Sequence, residues 1–287
     1  MRPSEEIKKL ILEKAEKDSR IRAVLLNGSR ANPKIKPDRF QDFDIVYIVT
    51  ETESFLSDHD WIRVFGEILI MQLPAEMEFP TGQKKSSFAY LALFKDGNRI
   101  DLTLFPKNKL QSEFVVDSLT VLLLDKDNLF PRLQPASDSD YLIKQPSEKE
   151  FTDCCNEFWW VCTYVAKGLC RSEITYAKEM LEIPVRNMFN KMIEWLVGVE
   201  NNFSVSIGKS GKYMKNYASP ELYEKNLCTY PDYKPANIWR SLFLMAELFG
   251  EIASKVSVFL HVKYNKEEED NVRKYLEQLH EAQRAIR

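Results

Sequence analysis

A chain of 287 residues, 44% hydrophobic and 29% charged, is long enough for two domains of ordinary size and too apolar to stay disordered. Its 40 Lys and Arg stand against 43 Asp and Glu, a net charge of −3 without a basic stripe. No nucleic-acid partner is therefore expected, and a mildly acidic chain suits a small cationic substrate. No apolar run approaches the roughly 20 residues that cross a bilayer, so no membrane partner is expected either.

Ile7, Leu10, Ile11 and Ala15 recur at helical spacing, which predicts a first helix over residues 4–17. The polar start, Met1 to Glu6, has no signal-peptide character. Ala23 to Asn27 reads as a short buried strand stopped by Gly28-Ser29. After a polar segment holding Pro33 and Pro37, a second strand runs from Asp44 to Val49. Residues 60–71 read as helical. Phe88–Phe94 and Arg99–Phe105 are apolar runs joined by Lys95-Asp96-Gly97-Asn98, a hairpin signal, and Leu119–Leu124 reads as one more strand. From Pro146 the character changes. Ser147-x-x-Glu150 is a capping pattern that opens a long helix, and Trp239 to Leu260 keeps a three-and-four apolar spacing over six turns. Further amphipathic stretches lie near 173–198 and 266–284. The expected fold is α+β: an N-terminal domain, residues 1–146, with a mixed sheet and flanking helices, then an all-helical C-terminal domain, residues 147–287.

The five cysteines (Cys154, Cys155, Cys162, Cys170 and Cys228) are odd in number, and two are adjacent, which fits reduced thiols in a cytoplasmic protein. The three histidines are distant from them, with no CxxC or HExxH spacing, so zinc is not expected and any metal chemistry must rest on carboxylates. Three carboxylates are candidates. Side chains alternate along a strand, so Asp42 and Asp44 should share a face, and Asp101 lies in the second strand of the hairpin. If that strand pairs beside Asp44, three hard oxygen donors gather at one point, which suits Mg²⁺ together with a triphosphate. Gly28 and Ser29 would let backbone N–H groups and a hydroxyl approach phosphate oxygens, with Arg30 adding positive charge. Asp42 and Asp44 would be metal ligands. Asp101 would accept the proton of an attacking hydroxyl or help to hold the metal.

These residues carry a resemblance. Gly28-Ser29, a dozen residues, then Asp42-Phe43-Asp44-Ile45 resembles the signature of polymerase-β-type nucleotidyltransferases. The longer strings Leu26 to Asn32, Phe40 to Ile45, Asp96 to Leu104, Leu123 to Asp127, Cys154 to Trp159 and Tyr164 to Leu169 resemble the aminoglycoside 6-adenylyltransferases, with Asn27 where Glu sometimes stands. The likeness spans the chain to about residue 262. It implies a nucleotidyltransferase fold, ATP as co-substrate, Mg²⁺, and transfer of AMP to the 6-hydroxyl of streptomycin. The alternatives are a different small-molecule or protein hydroxyl, or a nucleotide-binding regulator without catalysis.

The predicted helix from 148 to about 171 carries an apolar stripe of Phe151, Cys155, Phe158, Cys162, Val165 and Leu169. A second stripe holds Asp153, Glu157, Trp160, Tyr164, Lys167 and Arg171. Asp153 and Glu157 are like charges one turn apart, a repulsion that a cationic ligand would relieve. Asp153 and Glu157 are therefore expected to bind the aminoglycoside and Lys167 the phosphates. Glu76 and Glu78 are further candidates for the acceptor pocket. The run Gly208-Lys209-Ser210-Gly211-Lys212 lacks phosphate-loop spacing and reads as a surface loop. A monomer is expected.

Overall fold

Ile7, Ile11 and Ala15 lie on one stripe and are fully buried, which makes Ser4–Lys17 the amphipathic helix α1. The computed structural model describes residues 1–79 and 86–286 of the chain. They divide into two compact units, Met1–Asp140 and Tyr141–Arg287.

In the first unit, α1 is followed by the strands β1 (Ile21–Asn27) and β2 (Phe43–Val49) and the single turn α2 (Glu53–Leu56). Next come β3 (Ile68–Gln72), β4 (Phe88–Phe94), β5 (Arg99–Pro106), the short α3 (Leu110–Glu113) and β6 (Val121–Asp125). The strands form one sheet in the order β3-β4-β5-β2-β1-β6. Every neighbouring pair is antiparallel except β2 and β5, which run parallel, so the sheet is mixed. Phe43, Ile45, Tyr47 and Val49 of β2 join Ile100, Leu102 and Leu104 of β5 beneath α1, and the buried Tyr47 hydroxyl donates to Ile11 O at 2.7 Å. The opposite face has a smaller core of Ala23, Leu25, Val46, Ile48 and Phe105.

The expected helix over 60–71 is absent. His59–Phe65 is a 3₁₀ segment, Gly66 (φ 147°) ends it, and Ile68–Gln72 is the edge strand β3, paired with β4. At φ +147° Gly66 takes a backbone conformation that is not helical and that L side chains rarely adopt, so the helical path ends there. The apolar run beyond it takes the extended form that β-branched residues favour.

The second unit is helical: α4 (Glu148–Cys170), α5 (Ile174–Met180), α6 (Arg186–Glu200), α7 (Pro220–Leu227), α8 (Pro235–Leu260) and α9 (Lys266–Ile286). The Ser147–Glu150 capping box opens α4 as read from the sequence, and every residue of its apolar stripe is buried. Ile143 is also buried in this unit's core, and its N–H donates to Val205 O at 3.0 Å, so the residues just before α4 pack with the helices. Among the described residues no helix is long and apolar enough to cross a membrane.

Candidate active site

The hairpin turn sets the register of the site. Phe94 N–H donates to Asn98 O at 2.9 Å and Gly97 N–H to Phe94 O at 2.8 Å, while Arg2 pairs with Asp96 at 2.6 Å. Gly97 takes φ +85°, which the turn requires. Counting from that turn, Ile100, Leu102 and Leu104 enter the core under α1, and alternation puts Asp101 on the other face. The same alternation along β2 buries Phe43 and Ile45 and leaves Asp44 on the face of Val46 and Ile48.

The parallel register pairs Asp44 directly with Asp101, and the antiparallel register of β1 pairs Asn27 with Asp44. Asn27, Asp44 and Asp101 thus form one row across three strands. The Thr120 hydroxyl donates to Asn27 Oδ1 at 2.9 Å, extending the row toward β6. Gly28 follows immediately in a 3₁₀ turn, Gly28–Arg30, with φ +72°. A Cβ on it would lie 2.2 Å from Asp44 Oδ2, so the absence of a side chain is what seats the carboxylate against the loop. Ser29 sits in the same turn, and its carbonyl accepts from Gln41 Nε2 at 3.4 Å.

The expected gathering of Asp42, Asp44 and Asp101 into one ligand set is only partly realised. Asp42 precedes β2 and joins the row through Arg99. That guanidinium donates from Nε and Nη2 to the two oxygens of Asp101, both at 2.7 Å, and its Nη1 lies 3.6 Å from Asp42 Oδ2. The hydrogen bonds to Asp101 raise the pKa of Arg99 above its ordinary value, against the opposing effect of burial and with smaller contributions from Asp42 and Asp44. Like charges this close repel unless a cation stands among them, and Arg99 is that cation here. Among the described residues no group of three or more His, Cys, Asp or Glu side chains is arranged to hold a metal ion. The donors themselves are of the kind a hard divalent cation takes, and Asp42 and Arg99 are each about two-fifths exposed (40% and 42%), so the guanidinium has room to give way.

Arg30 is placed differently from the expectation. Its guanidinium donates to Asp42 O (3.0 Å), Gln41 O (2.5 Å) and Ser4 Oγ (3.0 Å) and stacks over Phe43 at 3.8 Å. Burial pulls its pKa down, opposed by Asp38, Asp42 and Asp44. It braces the segment that delivers Asp42. Glu76 pairs with His59 Nε2 at 3.2 Å, and His59 Nδ1 is 2.9 Å from the hydroxyl of Tyr90, a residue of the core beneath α1. Glu78 is exposed.

In the helical unit, Asp153, Glu157 and Lys167 all lie on the exposed face of α4. Asp153 already has a cation one turn away, because Lys149 pairs with it, so its repulsion with Glu157 is relieved within the chain. Trp160 Nε1 donates to Tyr164 Oη at 2.6 Å on the same face. Arg99 and Asn27 join the carboxylate row although no sequence motif assigns them a role there. An arginine two residues before a strand aspartate shares its face, and that spacing was the signal available.

The sequence profile for streptomycin adenylyltransferase matches residues 1–279. The chain is 44% identical to an aminoglycoside 6-adenylyltransferase of Campylobacter jejuni over 265 residues, which is 92% of this chain and 91% of that protein. It is 41% identical to one of Bacillus subtilis (strain 168) over 278 residues, covering 96% and 98% of the two chains. A third, from Staphylococcus aureus, is 37% identical over 265 residues, covering 92% and 94%.

Proposed function

Since the chain belongs to the streptomycin adenylyltransferase family, we propose that it transfers AMP from ATP to a hydroxyl of an aminoglycoside, namely O-6 of streptomycin, and releases pyrophosphate. The observation that supports this most is the register of Asp44 beside Asp101, against a glycine loop that admits no side chain. The acceptor hydroxyl attacks the α-phosphorus, the bond to pyrophosphate breaks, and Asp101 takes the hydroxyl proton. Gly28 and Ser29 face the triphosphate, and Arg30 acts through the segment it braces. Mg²⁺, held by Asp42 and Asp44 with the nucleotide, would neutralise charge on the phosphates. The carboxylates of Glu76 and Glu78 are assigned to the cationic groups of the acceptor.

The test is to incubate the protein with ATP, Mg²⁺ and streptomycin and look by mass spectrometry for an added AMP unit. Asp101→Asn should lower turnover by about 10²–10⁴-fold, the range that general-base catalysis supplies. Unmodified streptomycin overturns the substrate assignment. If a panel of other aminoglycosides is also unmodified, the reaction itself is overturned.

A further inference from the structure

The row of Asn27, Asp44 and Asp101 does not stop at β5. In the register of β4 with β5, Asp101 stands opposite Leu91, and in that of β3 with β4, Leu91 stands opposite Gln72. Nearer the hairpin turn, Arg99 pairs with Leu93 and Leu93 with Ile70. Directly opposed residues share a face. Phe88, Tyr90, Ala92 and Phe94 of β4 and Ile68 and Met71 of β3 take the face under α1. Leu91, Leu93 and Gln72 therefore lie on the face of the carboxylates, and the irregularity between Ile68 and Ile70 turns Ile70 to it as well. Leu91 and Leu93 are half-buried, Gln72 is exposed, and Ile70 is 64% exposed. On β1 and β2, by contrast, Ala23, Leu25, Val46 and Ile48 are closed off by Phe114 and Phe130.

Phosphoryl transfer sets the attacking and leaving oxygens roughly in line through phosphorus. With the triphosphate at Gly28 and Ser29, which follow β1, the leaving pyrophosphate lies on the β1 side of Asp44. The attacking hydroxyl then comes from the β4 side, beside Asp101. On that flank Asp101 has an apolar shelf of Leu91, Leu93 and Ile70. A sugar or aminocyclitol ring has a C–H face that packs on such side chains while its edge carries the hydroxyls. Neighbouring strands lie about 4.8 Å apart, so Gln72, two strands from Asp101, stands about 10 Å away, further than a single six-membered ring reaches.

From this register we infer that Leu91 carries the acceptor ring that presents the attacking hydroxyl, and that Gln72 hydrogen-bonds the next ring of the same acceptor. Both are specificity-determining residues, and the acceptor they select has at least two linked rings. The inference deepens the proposed reaction and rests on it for the side from which the acceptor enters.

Steady-state kinetics of the full-length protein test it, with streptomycin or whichever aminoglycoside of the panel the parent modifies. Leu91→Ala should raise the KM for the acceptor about tenfold, the scale on which an apolar contact discriminates, and leave the KM for ATP unchanged. Leu91→Met, which conserves volume, should keep the acceptor KM near that of the parent. Gln72→Ala should raise the acceptor KM about fivefold, as the loss of one neutral hydrogen bond does, with kcat and the KM for ATP unchanged. An acceptor KM unchanged in either alanine variant overturns the inference, as does a parallel rise in the KM for ATP. A parent that modifies no aminoglycoside overturns the proposed reaction itself and this inference with it, a result read before any variant is made.

Discussion

At the scale of single residues, Gly28 governs the geometry of the carboxylate row. Its φ of +72° and the 2.2 Å that would separate an added Cβ from Asp44 Oδ2 leave two independent reasons for glycine. In Gly28→Ala the Asp44 carboxylate must move by about an ångström or more, and misplacement of that size costs roughly 10²-fold in rate. We expect kcat/KM, followed by pyrophosphate release, to fall by about that factor while stability falls by only about 1–2 kcal/mol from the left-handed backbone. A fully active Gly28→Ala protein would show that Asp44 need not sit where the loop holds it. Gly28, Ser29 and the aspartates were legible because their spacing reflects strand alternation and a turn. Arg99 was not: its partners Asp101 and Asp42 are two residues away in one direction and 57 in the other, and only the pairing of β5 with β2 brings both to one guanidinium.

Among elements, the passage from α5 to α6 is the most demanding. Leu181–Val185 is a π-helical segment containing Pro184, and its register is held by Arg186, which is 5% exposed. Arg186 donates to Glu182 at 2.6 Å and to the hydroxyl and carbonyl of Thr229, both at 2.8 Å, and lies 3.7 Å over the Tyr230 ring. Removing one partner of such a buried pair costs about 3–5 kcal/mol. Since Glu182 is partly solvated, Arg186→Ala should cost about 3 kcal/mol, measured as a shift in urea midpoint at constant slope. A loss under about 1 kcal/mol would mean the network carries little. Most elements were read correctly because apolar periodicity reports local geometry. The stretch 60–71 was not, since a run such as Ile68-Leu69-Ile70-Met71 fits either period, and the neighbour β4 decides it as a strand.

For the molecule as a whole, each unit has its own closed core, and the thiols report on one of them. Cys154, Cys155 and Cys162 are buried in the helical core, while Cys170 and Cys228 are exposed. Burial pushes the Cys154 thiol up to about 12 and those of Cys155 and Cys162 higher still, so the reactive thiolate is scarce at neutral pH. A thiol reagent at pH 8 should label two of the five cysteines of the native protein, and all five in denaturant. Rapid labelling of a third in native conditions would contradict the closed core.

The α+β class, the order of most elements and the choice of Asp42, Asp44 and Asp101 as candidate carboxylates followed from the chain alone, because alternation, helical spacing and turn chemistry depend on neighbours within a few residues. Tertiary structure decided the parallel pairing that sets Asp44 beside Asp101, the capture of that pair by Arg99, and the diversion of Arg30 into a brace. Each of these depends on which distant segments meet, and on the charges left facing one another when they do.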